Sequence, residues 1–283
     1  MANDVRSAAT ERSPRKRPGG RRRRPQGLLF RQVDHWAVRW RRTWRGSAIT
    51  NFALPVLYLL AMGVGLGGYV EGGGASRALG GVAYLDYIAP GLLATTVFQN
   101  AVGASTWPVM GAIKWDKTYH AMLATPLRVR DILFGTLAYI AARLTLTAAV
   151  FLVVLMGFGV AASAWSVLAL PAAVLVGMAH ATPIVAYAAW LDRETGFMLL
   201  YRLGVVPMFL FSGAFFPVAQ LPGPLQWLAQ LMPLYSGVEL VRGLVLGTPE
   251  LWPSLLHAAY LLAWLAVGCW FADRLLARRL GGT

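Results

Sequence analysis

Residues 131–159 read DILFGTLAYIAARLTLTAAVFLVVLMGFG, from Asp131 to Gly159. After the opening aspartate the run holds one charge, Arg143, and no acid. Wound as an α-helix, it is longer than the ~30 Å hydrocarbon core of a bilayer. It has no polar face to offer water, so it spans a membrane, tilted or extended beyond it. Five more apolar runs of spanning length flank it, and the six spans fall at 49–68, 87–107, 131–159, 166–190, 197–216 and 252–272.

The whole chain agrees with that stretch. Of 283 residues 57% are hydrophobic and 13% charged, and mean hydropathy is +0.54. A soluble domain carries about 25% charged residues, so this chain lacks the polar residues to cover a globular surface. Its one cysteine, Cys269, lies in an apolar run, which excludes a disulfide scaffold. The fold class is an all-α polytopic membrane protein with six transmembrane helices.

The net charge of +14 is concentrated at one end, because residues 1–45 hold 14 of the 26 Lys and Arg. Residues 1–27, rich in Arg, Pro, Gly and Ser, read as a disordered basic tail. Next to a membrane domain such a tail meets anionic headgroups, and nucleic acid is not expected as a partner. No cleaved leader is expected, since the first long apolar run begins far downstream of Arg21 to Arg24. Residues 28–46 read as an interfacial amphipathic helix: Trp36, Trp40 and Trp44 share one face, and Arg41 and Arg42 lie opposite among other arginines. A helix packed on a soluble partner would show the same pattern.

Orientation follows from the basic residues. With the N-terminus inside, segments 1–45, 108–130, 191–196 and 273–283 carry 22 of the 26, and the external segments carry only Arg77 and Arg242. Both termini are therefore expected in the cytoplasm. The transmembrane domain runs over 47–273, and 274–283 form a short cytoplasmic tail. Residues 217–247 are too apolar for a free loop, yet Pro217, Pro222, Pro224 and Pro233 break them into pieces too short to cross. They read as an external re-entrant helical hairpin before the last span. In the cytoplasmic loop 108–130, Trp115, Tyr119, Met122 and Leu123 share a helical face opposite Lys114, Lys117 and His120. That pattern suits docking into a partner's groove or resting on lipid.

Catalytic constellations are missing from the sequence. His35, His120, His180 and His257 form no metal-binding spacing, and none of the three lysines sits in a phosphate-binding Gly-rich motif. Gly63, Gly65 and Gly68 match a dinucleotide-binding spacing, but they end a membrane helix with no strand before them. No span has a central acid for proton coupling, and Arg143 is the one charge deep in a span. It is expected to face protein, water or an anionic substrate. A membrane-embedded lipid-modifying enzyme remains an alternative class, for which no acid/base pair is visible.

The stretches that resist a generic reading resemble one family. Phe209-Leu-Phe-Ser-Gly213-Ala-Phe-Phe-Pro217, then Gln220-Leu-Pro222, Met232-Pro233-Leu-Tyr and Arg242-Gly243, resemble the closing signature of ABC-2-type exporter permeases. Tyr87-Ile-Ala-Pro90-Gly91 and Tyr119-His-Ala-Met-Leu-Ala-Thr125-Pro126 look like other parts of the same family. Leu54-Pro55-Val-Leu-Tyr58 looks most like the branch of the nodulation lipo-oligosaccharide exporters, with daunorubicin-type drug-efflux permeases as close relatives. The resemblance covers roughly residues 30–275.

The resemblance implies the permease subunit of an ABC exporter in a bacterial plasma membrane, moving an amphiphile such as a lipid-linked saccharide or a hydrophobic natural product. An antibiotic or multidrug efflux permease with the same machinery is the alternative. It implies a second permease copy, most simply a homodimer, and a separate ABC ATPase that carries ATP and Mg, with no cofactor on this chain. Lys114, Trp115, Lys117, Tyr119, His120, Met122 and Leu123 would form the ATPase-coupling helix. Asn51, Phe52, Tyr58, Phe98, Arg143, Phe209, Phe211 and Phe215 would line the translocation pathway or the dimer interface. Trp36, Trp40, Trp44, Arg41 and Arg42 would anchor the protein to membrane lipids.

Overall fold

The computed structural model describes residues 53, 56–66, 82–161 and 163–281. The basic tail, the interfacial helix 28–46 with Trp36, Arg41, Arg42, Trp40 and Trp44, and the pathway residues Asn51 and Phe52 lie outside the described residues, as does part of the first span. All regular structure among the described residues is helical.

A π-helical segment, Leu59–Leu66, comes first. It is followed by α1 (Tyr84–Ser105), α2 (Trp107–Lys114), α3 (Thr118–Leu123), α4 (Val129–Gly157) and α5 (Ser166–Trp190). Next come α6 (Thr195–Leu210), α7 (Gly223–Leu231), α8 (Pro233–Leu246) and α9 (Leu251–Gly281). Three of these, α4, α5 and α9, are long and apolar enough to cross a membrane by length and composition, and α6 is a shorter apolar helix.

Boundaries moved where a local rule overrode hydropathy. The second expected span starts three residues early, at Tyr84, and stops at Thr106, where ψ of −103° breaks the helix before α2. The fifth stops at Leu210 instead of 216. Within it Tyr201–Val205 winds with π pitch, and the Val206 N–H donates to the Tyr201 carbonyl five residues back. Pro207 has no N–H to continue an α ladder at that point. The last expected span runs nine residues longer, to Gly281. Charged Arg274, Arg278 and Arg279 end the apolar run without ending the helix.

α5 is the hub, touching α1, α2, α4, α8 and α9. Its small residues allow close approach, which in lipid replaces the hydrophobic drive between helices. The tightest point is Gly268 of α9, where a Cβ would lie 2.3 Å from Thr182 Oγ1 and 2.7 Å from the Pro183 ring. The Thr182 hydroxyl donates across this contact to the Leu265 carbonyl at 3.3 Å.

The bundle has two chemically distinct ends. At one end Arg130 pairs with Asp273 at 3.1 Å, Arg279 pairs with Asp192, and Lys114 donates to the Asp192 carbonyl. Three of the segments read as internal thus meet there. At the other end, α7 and α8 form the proline-broken pair read from 217–247. Leu234, Val238, Val241 and Val245 of α8 are buried in the bundle.

Candidate functional site

Two motifs more than a hundred residues apart meet at Arg242. Pro233 opens α8 at a first turn that needs no N–H, and two turns later Arg242 is buried, with 7% of its surface exposed. Burying a guanidinium is tolerated only when its N–H groups find acceptors. Here Nε donates to the Tyr87 carbonyl at 3.3 Å, one terminal nitrogen to the Gly213 carbonyl at 2.6 Å, and the other to the Glu239 carboxylate. The guanidinium also sits 4.0 Å above the Tyr87 ring, and the Tyr87 hydroxyl donates to the same Gly213 carbonyl at 3.1 Å. Gly213 turns that carbonyl inward through a φ of +76°, a conformation that favours glycine. Gly91, one turn after Tyr87, lies against Ala214 so closely that a Cβ would be 2.7 Å from its Cα. This node ties α8, the start of α1 and the end of α6 into one latch.

Below the latch, α1 and α6 enclose a cleft of about 310 Å³ lined by Gln99, Val102, Tyr201, Val205, Val206 and Phe209. Phe215 packs on Phe209 with ring centres 5.0 Å apart, and Phe211 is half-buried beyond it. Of the expected pathway residues, then, Phe209 lines the cleft and Phe215 backs it. Phe98 does not: it is 1% exposed in the core, 4.7 Å from the His180 ring. Tyr58 is exposed on the first helix. Arg143 sits half-buried on α4, its guanidinium 6.0 Å from the Tyr139 ring and away from the cleft lining. Gln99, the neighbour of Phe98 and not among the expected residues, lines the cleft instead. A polar pair, Gln99-Asn100, in an otherwise apolar run was the available signal.

His180 packs as a hydrogen-bonded core residue, with Nδ1 2.7 Å from the Val176 carbonyl. Among the described residues no group of His, Cys, Asp or Glu could hold a metal ion.

At the opposite end lies the loop helix expected to couple to a partner; of its apolar face Tyr119 turns into the bundle, Met122 and Leu123 are half-buried and Trp115 stays exposed. Lys117 takes a left-handed φ of +50° between α2 and α3, which turns Tyr119 into the bundle. The Thr136 hydroxyl already donates to the Ile132 carbonyl, so Tyr119 donates to Thr136 Oγ1 at 3.0 Å. Burial pushes the Tyr119 hydroxyl pKa up, against the smaller opposing effect of that bond. Met122 and Leu123 pack on the core beside it, and His120 is half-buried. The exposed surface is instead Trp115, Asp116, Lys117, Ala121 and the turn at 124–126. Lys114 reaches back to the Asp192 carbonyl, three residues before α6 begins.

Residues 34–246 match the sequence model of the ABC-2 type transporter family. The chain belongs to that family. Among its relatives, Nodulation protein J of Rhizobium leguminosarum bv. trifolii is 32% identical over 260 residues, covering 87% of this chain and 94% of that protein. Nodulation protein J of Rhizobium meliloti (strain 1021) is 29% identical over 253 residues, with coverage of 87% and 94%. That of Neorhizobium galegae is 30% identical over 267 residues, with 90% and 96%. As an ABC-2 permease the chain is a membrane protein and the membrane subunit of a transporter rather than an enzyme. Membership also implies association with an ABC ATPase subunit.

Proposed function

We propose that this ABC-2 permease is the membrane half of an ATP-driven exporter that moves an amphiphile outward across a bacterial cytoplasmic membrane. The amphiphile is a lipid-linked saccharide or a hydrophobic natural product. Two copies associate, each with a separate ATPase that carries ATP and Mg. Each copy has six spans, an external re-entrant hairpin made by α7 and α8, and both termini in the cytoplasm. The observation that supports this most is the α1–α6 cleft: its wall is aliphatic and aromatic, with one amide, Gln99. Such a lining suits an acyl or polyprenyl chain with a polar head rather than a small ion. Beside it, Leu199, Leu203 and Leu210 of α6 are exposed, a surface that a second copy would cover.

In this reading, closure of the ATPases pushes on the exposed Trp115 to Pro126 surface. The Lys114 contact carries that push to the Asp192 loop and so to the start of α6. Displacing α6 opens the cleft at one end while the Arg242 latch holds the other, and release of the latch completes the path. The test is a mild-detergent purification from the native host with ATPase assay. A stoichiometric ATPase partner, whose turnover responds to an amphiphile and loses that response in Phe209→Ala, is the expected result. A preparation without a nucleotide-binding partner would overturn the proposal.

A further inference from the structure

α8 and α9 leave a cavity of about 270 Å³ at the latch end of the bundle. Its polar wall is Glu239 and Arg242 from α8, Thr248 and Glu250 from the connection, and Ser254 and His257 from α9. Each guanidinium nitrogen of Arg242 already makes one bond, to Tyr87, Gly213 or Glu239, which uses three of its five N–H groups. Beside its remaining two N–H groups and the His257 ring, the polar wall offers the second carboxylate oxygen of Glu239, the Glu250 carboxylate and two hydroxyls. Glu239 keeps 35% of its side chain exposed, and Glu250 is exposed. Two carboxylates against one cation leave the wall negative, which turns away an anion. A multivalent metal would need three ligating side chains together, and no such group occurs among the described residues.

We infer that this cavity binds a primary ammonium group, held between Glu239 and Glu250, with its third N–H donated to the hydroxyl of Thr248 or Ser254. Its volume takes a headgroup of a few heavy atoms, not a whole lipid. On the other face of the same turns of α9, Leu251, Trp252 and Leu255 are exposed, as expected for residues at a membrane interface. The ammonium comes from an ethanolamine headgroup of a neighbouring lipid or from a free amine in solution. Because Glu239 also holds Arg242, the occupant shares a carboxylate with the latch, so binding stiffens or loosens the node that fixes Gly213.

The experiment uses the full chain in nanodiscs of phosphatidylethanolamine or phosphatidylcholine with matched acyl chains. Retained lipid is counted by native mass spectrometry and unfolding is followed by tryptophan fluorescence. A second arm adds free ethanolamine to phosphatidylcholine discs. Retention of phosphatidylethanolamine about fivefold over phosphatidylcholine is expected, the scale of one half-exposed charge pair. Glu250→Gln should remove the preference, and Thr248→Ala should reduce it. Protection by free ethanolamine as well identifies a soluble source, and protection by the lipid alone identifies a headgroup. Equal retention of the two lipids with no effect of ethanolamine, or a preference that survives Glu250→Gln, overturns the assignment. Neither readout involves transport or ATP, so this result stands or falls apart from the proposed function.

Discussion

Arg242→Met keeps most of the side chain's length and its apolar stem while removing every donor, which makes it the sharpest test of the latch. Three donations are lost, to Tyr87, Gly213 and Glu239. Hydrogen bonds inside membrane proteins are worth about 0.6–1.7 kcal/mol each. The guanidinium over the Tyr87 ring adds about 1–2 kcal/mol when shielded from solvent. Together these predict a loss of about 4 kcal/mol, within the ~3–5 kcal/mol typical of breaking a buried ion pair from one side. Tyr87→Phe removes only the hydroxyl bond to Gly213 and should cost about 1 kcal/mol. Arg242→Lys keeps the charge but reaches one acceptor at a time, so it should fall between the two. The assay is unfolding in mixed micelles of mild detergent and SDS, read by tryptophan fluorescence. If Arg242→Met lies within 1 kcal/mol of wild type, or costs no more than Tyr87→Phe, the latch does not hold these helices together.

Three other outcomes follow from the same geometry. Gly268→Val should destabilise by about 1–3 kcal/mol in that assay, because its Cβ meets the Thr182 hydroxyl, the rigid Pro183 ring and the Pro183 backbone nitrogen; a neutral result would show that α5 and α9 have room to part. Trp115→Glu, on the exposed loop, should leave unfolding unchanged and lower substrate-stimulated ATPase activity several-fold. Tyr119→Asp should instead unfold the loop, and equal stability of the two variants would refute the inward packing of Tyr119. The raised pKa of Tyr119 makes it neutral when folded at pH values where the unfolded chain's tyrosine ionises. Stability should therefore be level below about pH 10 and fall above it, and Tyr119→Phe should flatten that fall in pH-dependent unfolding.

Sequence alone located the bundle's interior better than its contacts. The span at 166–190 coincides with α5 because an apolar run there is bounded by Leu191 and Asp192, where the helix itself stops. At the last span, hydropathy ended with the arginines while the helix continued, since arginine is a good helix former and only its solvation changes. An amphipathic pattern groups Trp115, Tyr119, Met122 and Leu123 on one face of the 114–123 loop. It could not say whether their apolar face meets the chain's own bundle or a partner, and Tyr119 took the first option. Arg242 counts among the external charges and closes one of the quoted motifs. Its partners Tyr87 and Gly213 were both in quoted motifs, but a separation of 155 residues between Arg242 and Tyr87 carries no local periodicity from which contact could be read.

The π-pitched turn at Tyr201–Val205 sets a phase relation. Before it and at its first residue, Phe197 and Tyr201 grip Trp107, with ring centres 5.1 and 5.6 Å away. On its far side, Phe209 faces the cleft. A π turn is an α-helix with one residue's worth of extra winding, and one residue is worth about 100° of azimuth. Deleting one residue from 202–204 would let the segment rewind as ordinary α-helix, and everything beyond it would swing by that angle while the near grip stayed in place. The aromatic wall would then rotate out of the cleft without loss of a single apolar side chain from the far half of α6.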